Sequence, residues 1–357
     1  MTTFLIFLAV FLLGVVIFQI SKVNEYVSVL KGDDKANEET DKIAGTMFLV
    51  FLVVGMVAMV WSFYKFKPYL LPQSASMHGV WIDSMFNVTL ILTGIIFVAT
   101  QIALFWFAYK YRGRKDGLGY YYPENNKIEM IWTIIPAIVL TGLVVIGLYR
   151  WFQITRPEPK GSDIVEITGQ QFNWNQRYPG PDGKLGRRKF ELIDTLNVLG
   201  VDYTDPAALD DYQPNEIHWE VNRPVSLQIG SKDVIHDVGL VHFRLKMDAV
   251  PGIPTHLWLV PIITTDSMKL ITKDPEFVYE LSCDQLCGKG HSAMKDIIVV
   301  DTHDQFEKWK ANQKSYYETV IKGTCEDPYS DCFKERQKKK EEELKKEEEK
   351  NKKEEEK

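Results

Sequence analysis

Cysteine is scarce in this sequence, and long apolar runs are almost missing from its second half. Only four cysteines occur in 357 residues. No C-x-x-C-H motif is present, which excludes a covalently attached haem c in this chain. No basic stripe with interleaved aromatic residues is present either, so nucleic acid is not an expected partner. The net charge of −6 is modest, and the length allows two or three structural units.

The first half of the chain reads as membrane-spanning. A helix needs about 20 apolar residues to cross the hydrocarbon core, and the last three of four uncharged runs reach that length. The runs are Phe4 to Ile20, Ile43 to Tyr64, Ser84 to Tyr109 and Met130 to Tyr149. The shorter first run could be a signal peptide. No basic residue precedes it and "FQISK" is not a small-residue cleavage site, which favours an uncleaved helix.

The basic residues between the third and fourth runs orient the helices. The loop "KYRGRKDG" carries Lys110, Arg112, Arg114 and Lys115 and is expected on the cytoplasmic side. The residues after 150 then lie outside, together with the loop from Pro68 to Met85. The loop from Ser21 to Lys42 lies inside. Both termini of a four-helix arrangement are therefore expected outside, in a multi-pass protein of the bacterial inner membrane.

After residue 152 the pattern changes to short β-branched segments separated by Gly, Pro, Asn and Asp. Strands are predicted in "DIVEITGQ", "NEIHWEV", "VSLQIGS", "FVYELSC" and "DIIVVD", which together indicate a β-sandwich or barrel. The predicted domains are a two-helix N-terminal extension (1–66), a helix hairpin (67–152), an outer β domain (153–325) and a charged tail (326–357). A polar insertion is expected near 179–215. From Lys334 onward the tail has one leucine, so it is expected to be disordered or a solvated helix.

One short stretch carries most of the chemistry. "ELSCDQLCGKGHSAM" places Cys283, Cys287, His291 and Met294 within twelve residues. The two glycines favour a tight loop over a helix face. A disulfide between the two cysteines or a zinc site are alternatives. A thioether instead indicates copper, whose electron-transfer sites use His, Cys and a weak Met. A mononuclear site needs one Cys, whereas two can bridge two coppers.

Such a site needs a further histidine from elsewhere in the β domain. The upstream candidates are His218, His236, His242 and His256. A lone histidine on a strand is more often structural than a ligand. His236 follows an apolar run in "SKDVIHDV", and we expect it just after a strand, where the chain enters a loop. That position makes it the best candidate ligand.

These motifs together resemble subunit II of the haem–copper cytochrome c oxidases. The likeness rests on C-x3-C-x3-H-x2-M after V-I-H, on "RLKMDAVPG" (Arg244 to Gly252) and on "IEMIWTIIPAIVL" (Ile128 to Leu140). It covers roughly residues 84 to 305, so the helices before residue 66 lie outside it. The resemblance implies transmembrane α-helices followed by a cupredoxin-like Greek-key β-barrel outside the membrane. It also implies subunit I and membrane lipid as partners.

The resemblance implies a dinuclear CuA centre and assigns its ligands. Cys283 and Cys287 would bridge both coppers. His236 and Met294 would complete one copper, and His291 with the backbone carbonyl of Gln285 the other. The centre would accept electrons singly from a cytochrome c donor and pass them to haem in subunit I, for proton-pumping reduction of oxygen. Because one electron would be shared between two metals, the centre would keep nearly the same geometry in both redox states, so that little reorganisation would oppose electron transfer.

The sequence departs from the family pattern at two positions. Gln285 stands where Glu is usual. The backbone carbonyl that the copper site needs is still present, but the carboxylate that in the family also reaches a magnesium site shared with subunit I is missing. Magnesium at that interface is therefore doubtful. Phe172 stands where the family often has a Trp through which electrons are proposed to enter, and Trp174 matches another family Trp. The resemblance therefore implies Phe172 and Trp174 as candidates for the electron-entry residue. Glu129 corresponds to the mouth of a proton path, although a boundary residue at a helix end is an equally good interpretation.

Two further hypotheses compete with the oxidase, and one cysteine pair lies outside the site. The alternatives are a CuA subunit of a haem–copper nitric oxide reductase and a membrane-anchored copper-binding assembly protein. Cys325 and Cys332, in "GTCEDPYSDCF", are expected to form a disulfide because they lie outside the membrane around a turn-forming segment. Two free thiols or a second metal site are the alternatives.

Overall fold

The structure is a computed structural model that describes residues 2–113 and 121–339 together with residue 342. Arg114 and Lys115 of the basic loop lie outside the described residues, as does most of the charged tail. The chain divides into two compact units. The first comprises residues 1–71 and 86–144, and the second comprises residues 72–85 and 145–357.

Four long helices dominate the first part of the chain. They are α1 (Thr2–Lys31), α2 (Asp33–Phe66), α3 (Met77–Lys110) and α4 (Asn126–Thr155). All four are long and apolar enough to cross a membrane. The prediction of a loop from Ser21 to Lys42 is wrong, because that segment is helical except at Gly32, where φ is 82°. Its Lys, Glu and Ala residues are good helix formers, and glycine tolerates the left-handed turn.

Within the first unit, α2 packs against α3 through aromatic side chains. The ring of Phe105 on α3 lies 5.4 Å from Phe51 and 6.0 Å from Phe48, measured between centroids. The Asp41 carboxylate contacts Gly113, which follows α3. The start of α2 and the end of α3 are thus at the same end of this pair, as the predicted topology requires.

In the part of the second unit that the structure describes, nine strands form one four-stranded and one five-stranded β-sheet. The strands are β1 (Asp163–Gln170), β2 (Asn173–Arg177), β3 (Ile217–Glu220), β4 (Val225–Ser231), β5 (His236–Leu240), β6 (Leu245–Ala249), β7 (Thr255–Leu259), β8 (Tyr279–Cys283) and β9 (Lys295–Asp301). One sheet has the order β2-β1-β4-β7 and the other β3-β9-β8-β5-β6. Two short helices, α5 (Thr265–Thr272) and α6 (His303–Ala311), complete this unit.

All five predicted strands are present, but β2, β5, β6 and β7 were not predicted. The expectation that the chain enters a loop at His236 is wrong, because His236 follows β4 by five residues and is itself the first residue of β5, where it pairs with Ala249 of β6. The β5 segment "HDVGL" begins with two polar residues and contains glycine, so it lacks the β-branched run that marked the other strands. All five of its residues are nevertheless buried.

Inward-facing residues of both sheets form one core. Its largest fully buried members include Trp219, Tyr279 and Phe243, and the buried cysteines and Met294 belong to the same cluster. Residues 72–85 are fastened to this core by Arg244. Its guanidinium makes two contacts with the Asp83 carboxylate, at 2.8 and 3.1 Å, and also donates to the Pro72 carbonyl.

The predicted insertion has a small core of its own. Leu199, Val201, Tyr203 and Ala208 pack with Tyr317 and Ile321, which follow α6. Buried Arg177 ties this region to the sheet through ion pairs of 2.7 Å with both Glu166 and Asp211. Cys325 and Cys332 form a disulfide, which confirms that prediction. Residues 331–339 are helical, so ordered structure extends beyond residue 325.

Candidate metal centre

The predicted ligands come from strand ends and one loop of the five-stranded sheet. His236 begins β5, and Cys283 ends β8, which is antiparallel to β5. Residues 284–290 form a loop with Cys287 in it, and His291 opens a short 3-10 turn that ends just before Met294. The Cys283 N–H donates to the Met294 carbonyl at 3.1 Å, which closes the loop at its base.

All six predicted ligand groups converge. The sulfur of Cys283 lies 3.8 Å from Nδ1 of His236 and 3.2 Å from the Gln285 carbonyl oxygen. The sulfur of Cys287 lies 3.6 Å from Nδ1 of His291 and 3.8 Å from the Met294 sulfur. The two cysteine sulfurs are 3.8 Å apart. Each thiol therefore lies close to the other thiol and to two further predicted ligand groups. These are His236 and the Gln285 carbonyl for Cys283, and His291 and Met294 for Cys287.

The two thiols are buried and free, so the alternative of a Cys283–Cys287 disulfide is absent from the structure. Burial and, to a smaller extent, the neighbouring Cys283 sulfur together raise the pKa of the Cys287 thiol to about 11. A buried thiol without a cation beside it stays protonated at neutral pH. Two adjacent thiolates at this site therefore need a bound cation to compensate their charge.

Asp233 sets the orientation of His236. A carboxylate oxygen of Asp233 lies 2.8 Å from Nε2 of His236, so the ring proton is on Nε2 and the Nδ1 lone pair faces Cys283. Burial opposes ionisation of Asp233, but hydrogen bonds from the Gln171 N–H, from His236 and from the Val234 N–H outweigh it and lower its pKa. This carboxylate–histidine pair is the arrangement that positions metal-binding imidazoles.

The donor set fits a soft metal. Two thiols, two imidazole nitrogens, a thioether and a carbonyl meet in a largely buried space, which suits copper better than a hard cation. A second group with ligand atoms within 4.8 Å of one another comprises Glu220, His303 and Glu307. It is largely exposed, and Glu220 is already paired with Arg223 at 3.2 Å. Of these two groups among the described residues, the one with His236, Cys283 and Cys287 combines burial with sulfur donors.

Close backbone approach allows the site to form. A Cβ built on Gly169 of β1 would lie 2.7 Å from the His236 ring, so a side chain there would displace the imidazole. Trp174 of β2 is buried, with its ring centroid 5.8 Å from that of His236. Trp174 thus supports His236 from inside the domain, and its role in electron entry remains a prediction.

Phe172 lies on the outer side of the same loop. Its ring packs against Gly288 and Gly290, and the Gln171 side-chain amide donates to the Cys287 carbonyl at 2.6 Å. Sequence reasoning missed Asp233 and Gln171. Asp233 stands only three residues before His236, close enough in sequence to be considered as a hydrogen-bond partner of its ring. Gln171 is 116 residues from Cys287 and carries no such signal.

Glu129 lies in the first turn of α4 and belongs to the other unit. Its carboxylate accepts from the Asn125 N–H at 3.2 Å, and the Asn125 side chain accepts from the Ile128 N–H at the same distance. These two bonds form a reciprocal cap at the start of the helix. The cap gives Glu129 a structural role, and a place at the mouth of a proton path remains a prediction.

Apolar helices followed by a two-sheet β domain with a buried, sulfur-rich site define a membrane-anchored, cupredoxin-like metal protein. Residues 60–151 match the family model for the cytochrome c oxidase subunit II transmembrane domain, and residues 164–302 match that for its periplasmic domain. The chain belongs to the cytochrome c oxidase subunit II family, and it is therefore a subunit of an oxidoreductase complex. The predicted fold class is confirmed, and the β domain is the outward-facing part of a membrane protein.

Curated relatives align along most of the chain. The alternative cytochrome c oxidase subunit 2 of Bradyrhizobium diazoefficiens is 29% identical over 276 residues, which is 77% of this chain and 93% of that protein. Cytochrome c oxidase subunit 2 of Thermostichus vulcanus is 26% identical over 292 residues, 74% and 85% of the two chains. The crystal structure of the periplasmic domain of subunit II of cytochrome oxidase from Bradyrhizobium japonicum is 28% identical, covers 43% of this chain and 94% of that one, and has a TM-score of 0.30.

Proposed function

We propose that this protein is the electron-accepting subunit of a terminal, proton-pumping cytochrome c oxidase. In this role its β domain takes single electrons from a cytochrome c, or from a cytochrome c domain, and delivers them to haem in subunit I. Membership of the subunit II family supports this role. The observation that carries it is the approach of Cys283 and Cys287 to 3.8 Å with His236, His291, Met294 and the Gln285 carbonyl around them.

The proposed cofactor is a dinuclear copper centre held by those six groups. When bound, it supplies a one-electron carrier whose charge is shared between two metals. The chain's own residues hold it in a fixed environment. Asp233 keeps Nδ1 of His236 turned toward the thiols, and Trp174 and Gly169 confine the ring from behind. Burial of both cysteines and Met294 excludes water, which limits rearrangement when the charge changes.

Magnesium is not part of the proposal. Gln285 has a neutral side chain, which is a poorer ligand for a hard cation than the carboxylate usual in the family. In this chain the Gln285 side chain is exposed, while its carbonyl faces Cys283. The backbone thus serves the copper site, and the side chain does not offer a charged group to a second metal.

The proposed organisation follows the sequence prediction. Residues 1–66 form an added helical pair and 67–152 the hairpin that packs on subunit I, with lipid around both. Residues 153–325 are the copper domain on the periplasmic side of a bacterial inner membrane, and 326–357 are the tail. Four apolar helices and a basic segment after α3 support this multi-pass arrangement.

The test is cytochrome c-dependent oxygen consumption by the complex purified with the full-length chain. Cys283→Ser should lower the turnover by about a hundredfold or more, because one of the two thiols that would hold the copper is lost. The matched control is the double variant Cys325→Ser/Cys332→Ser, which removes two cysteines outside the site and should retain turnover. A Cys283→Ser complex with normal turnover would refute the proposal.

The co-purified catalytic subunit separates the remaining alternatives. A partner that reduces nitric oxide but not oxygen would indicate the reductase. Isolation without any haem-containing partner, together with copper transfer to another protein, would indicate an assembly factor.

A further inference from the structure

Two arginines lie at the outer end of the membrane anchor, where the chain leaves α4 for the β domain. Arg150 lies in the last two turns of α4, and Arg156 is the first residue after the helix. Because an α-helix rises about 1.5 Å per residue, Arg156 lies about 9 Å further from the membrane centre than Arg150. Basic residues are concentrated at the cytoplasmic ends of membrane helices, so two of them at the outer end indicate a specific contact.

Arg150 is half-buried and lies over an aromatic ring of α3. Its guanidinium carbon is 4.9 Å from the centroid of the Trp81 ring, and Nη1 donates to the Gln153 side-chain oxygen at 2.8 Å. Among the residues that the structure describes, no carboxylate lies within 4 Å of this guanidinium. A guanidinium has five N–H donors, and a cation beside hydrocarbon is costly without an anion to compensate it. Arg150 therefore offers both charge and donors to an anion at its own depth.

Arg156 is held in a similar way by Trp258 of β7. Its guanidinium carbon lies 5.5 Å from the centroid of the Trp258 ring, and the indole N–H donates to the Arg156 carbonyl at 2.8 Å. The buried His78 ring connects the two tryptophans, because its centroid is 5.4 Å from that of Trp81 and 4.4 Å from that of Trp258. One group of packed rings thus fixes the positions of both charges.

Two carboxylates near these arginines in sequence or on the neighbouring helix have other partners. Glu158 lies 3.8 Å from the His256 ring nitrogen. Asp83, in the second turn of α3, is paired with Arg244 at 2.8 Å. Neither compensates the two arginines, so the outer end of the anchor carries positive charge that an outside group can meet.

The side chains around Arg150 are apolar and aromatic. Tyr149, Trp151 and Phe152 are each more than half exposed, and α4 continues below them as an apolar span. Aromatic residues are concentrated at the depth of the lipid headgroups, where a ring contacts both acyl chains and polar groups. A molecule that satisfies this surface has an anionic group at the level of Arg150 and hydrocarbon beneath it.

We propose that Arg150 and Arg156 bind the headgroup of an anionic phospholipid in the outer leaflet. Arg150 donates to the lipid phosphate, since the guanidinium fork matches phosphate oxygens. Tyr149, Trp151 and Phe152 contact the upper acyl chains. Arg156 adds a positive charge in the headgroup layer, where it attracts a phosphatidylglycerol headgroup and repels the choline of a zwitterionic lipid. This inference concerns the anchor and does not depend on the proposed copper centre.

The test uses the complex purified with the full-length chain and counts bound lipids by native mass spectrometry, with phosphatidylglycerol or phosphatidylcholine as the probe. Because other subunits also bind lipid, each variant is compared with the parent at the same lipid concentration. Arg150→Gln and Arg156→Gln should each weaken phosphatidylglycerol binding about fivefold, which is the usual contribution of one basic residue at a membrane surface. Phosphatidylcholine binding should change less than about twofold in Arg156→Gln.

Two further variants separate charge from folding. Arg150→Lys keeps the charge and should weaken phosphatidylglycerol binding less than about twofold. Arg187→Gln is the control, because Arg187 is exposed in the insertion and paired with Asp205 at 3.1 Å. It should bind lipid like the parent. Copper content and subunit composition are recorded for every variant, and if Arg150→Gln does not assemble, the exposed Arg156 decides the outcome.

Three outcomes would overturn the inference. The first is equal phosphatidylglycerol binding by the parent and both glutamine variants. The second is displacement of the lipid by excess inorganic phosphate, which would assign the arginines to a free anion, because a phospholipid also gains from its acyl chains. The third is loss of the catalytic subunit from Arg150→Gln with an unchanged lipid count, which would show that Arg150 contacts protein.

Discussion

The Asp233 carboxylate lies 2.8 Å from Nε2 of His236 and thereby fixes which nitrogen faces the thiols. Asp233→Asn keeps the size of the side chain but allows its amide to donate to Nε2, which favours the other ring tautomer. Copper affinity should fall about 10- to 100-fold, as it does when other hydrogen-bond partners of metal-binding histidines are replaced. Competition with a calibrated copper chelator measures it.

Asp266→Asn is the control for that substitution, because Asp266 is exposed on α5. Its copper affinity should equal that of the parent. If Asp233→Asn also binds copper like the parent, Asp233 does not orient the ligand.

Gly169 gives a second test of how His236 is positioned. A methyl group there would lie 2.7 Å from the ring, so Gly169→Ala should move the imidazole, weaken copper binding about tenfold and alter its EPR spectrum. Gly230→Ala is a matched control on the adjacent strand, where a Cβ meets nothing within 4 Å. Identical spectra for the two variants would contradict the packing of His236 on β1.

The buried thiols predict how copper uptake depends on pH. Burial raises the pKa of Cys287 to about 11, so the metal-free thiol carries its proton at pH 7. Copper binds the thiolate, so loading must release protons, and copper affinity should rise with pH up to about 11. Calorimetry in buffers of different ionisation enthalpy counts the released protons. An affinity independent of pH between 6 and 8 would mean that the thiols are not ligands.

The disulfide between Cys325 and Cys332 should stabilise the segment that packs on the insertion. Beside it, Asp327 accepts from the Tyr317 hydroxyl at 3.1 Å and from the Gly323 N–H at 2.9 Å. The double variant Cys325→Ser/Cys332→Ser should lose about 2 kcal/mol of stability, because the bridge closes a short loop. Copper binding should be unchanged. An unaltered unfolding midpoint would show that the bridge contributes little.

The parts of the fold that could be predicted were those with strong local signals. The apolar runs indicated all four helices, and β-branched runs indicated strands such as β1 and β4. Strand β5 was missed because its burial comes from its neighbours rather than from its own composition. The core of the insertion was missed because Tyr203 and Tyr317 are far apart in sequence, and neither segment is apolar by itself.

The candidate site was predicted more completely than the fold around it. Cys283, Cys287, His291 and Met294 lie in one short loop, so their spacing already indicates a shared ligand. His236 was chosen among four upstream histidines by its position after an apolar run, and the resemblance then assigned it to the same site. The supporting contacts of Gln171 and Gly169 depend on how β1 and β2 meet the ligand loop, which local sequence does not reveal. Asp233 was within reach of sequence reasoning, and its role became clear only from the ring orientation.

The central claim is that the six converging groups hold two coppers that share one electron. Elemental analysis of the purified full-length chain, combined with EPR of the same sample, tests it most directly. We predict two copper ions per chain and a mixed-valence signal in which one unpaired electron couples to both nuclei. One copper per chain with the spectrum of a mononuclear blue-copper site, or preferential retention of zinc, would contradict the account.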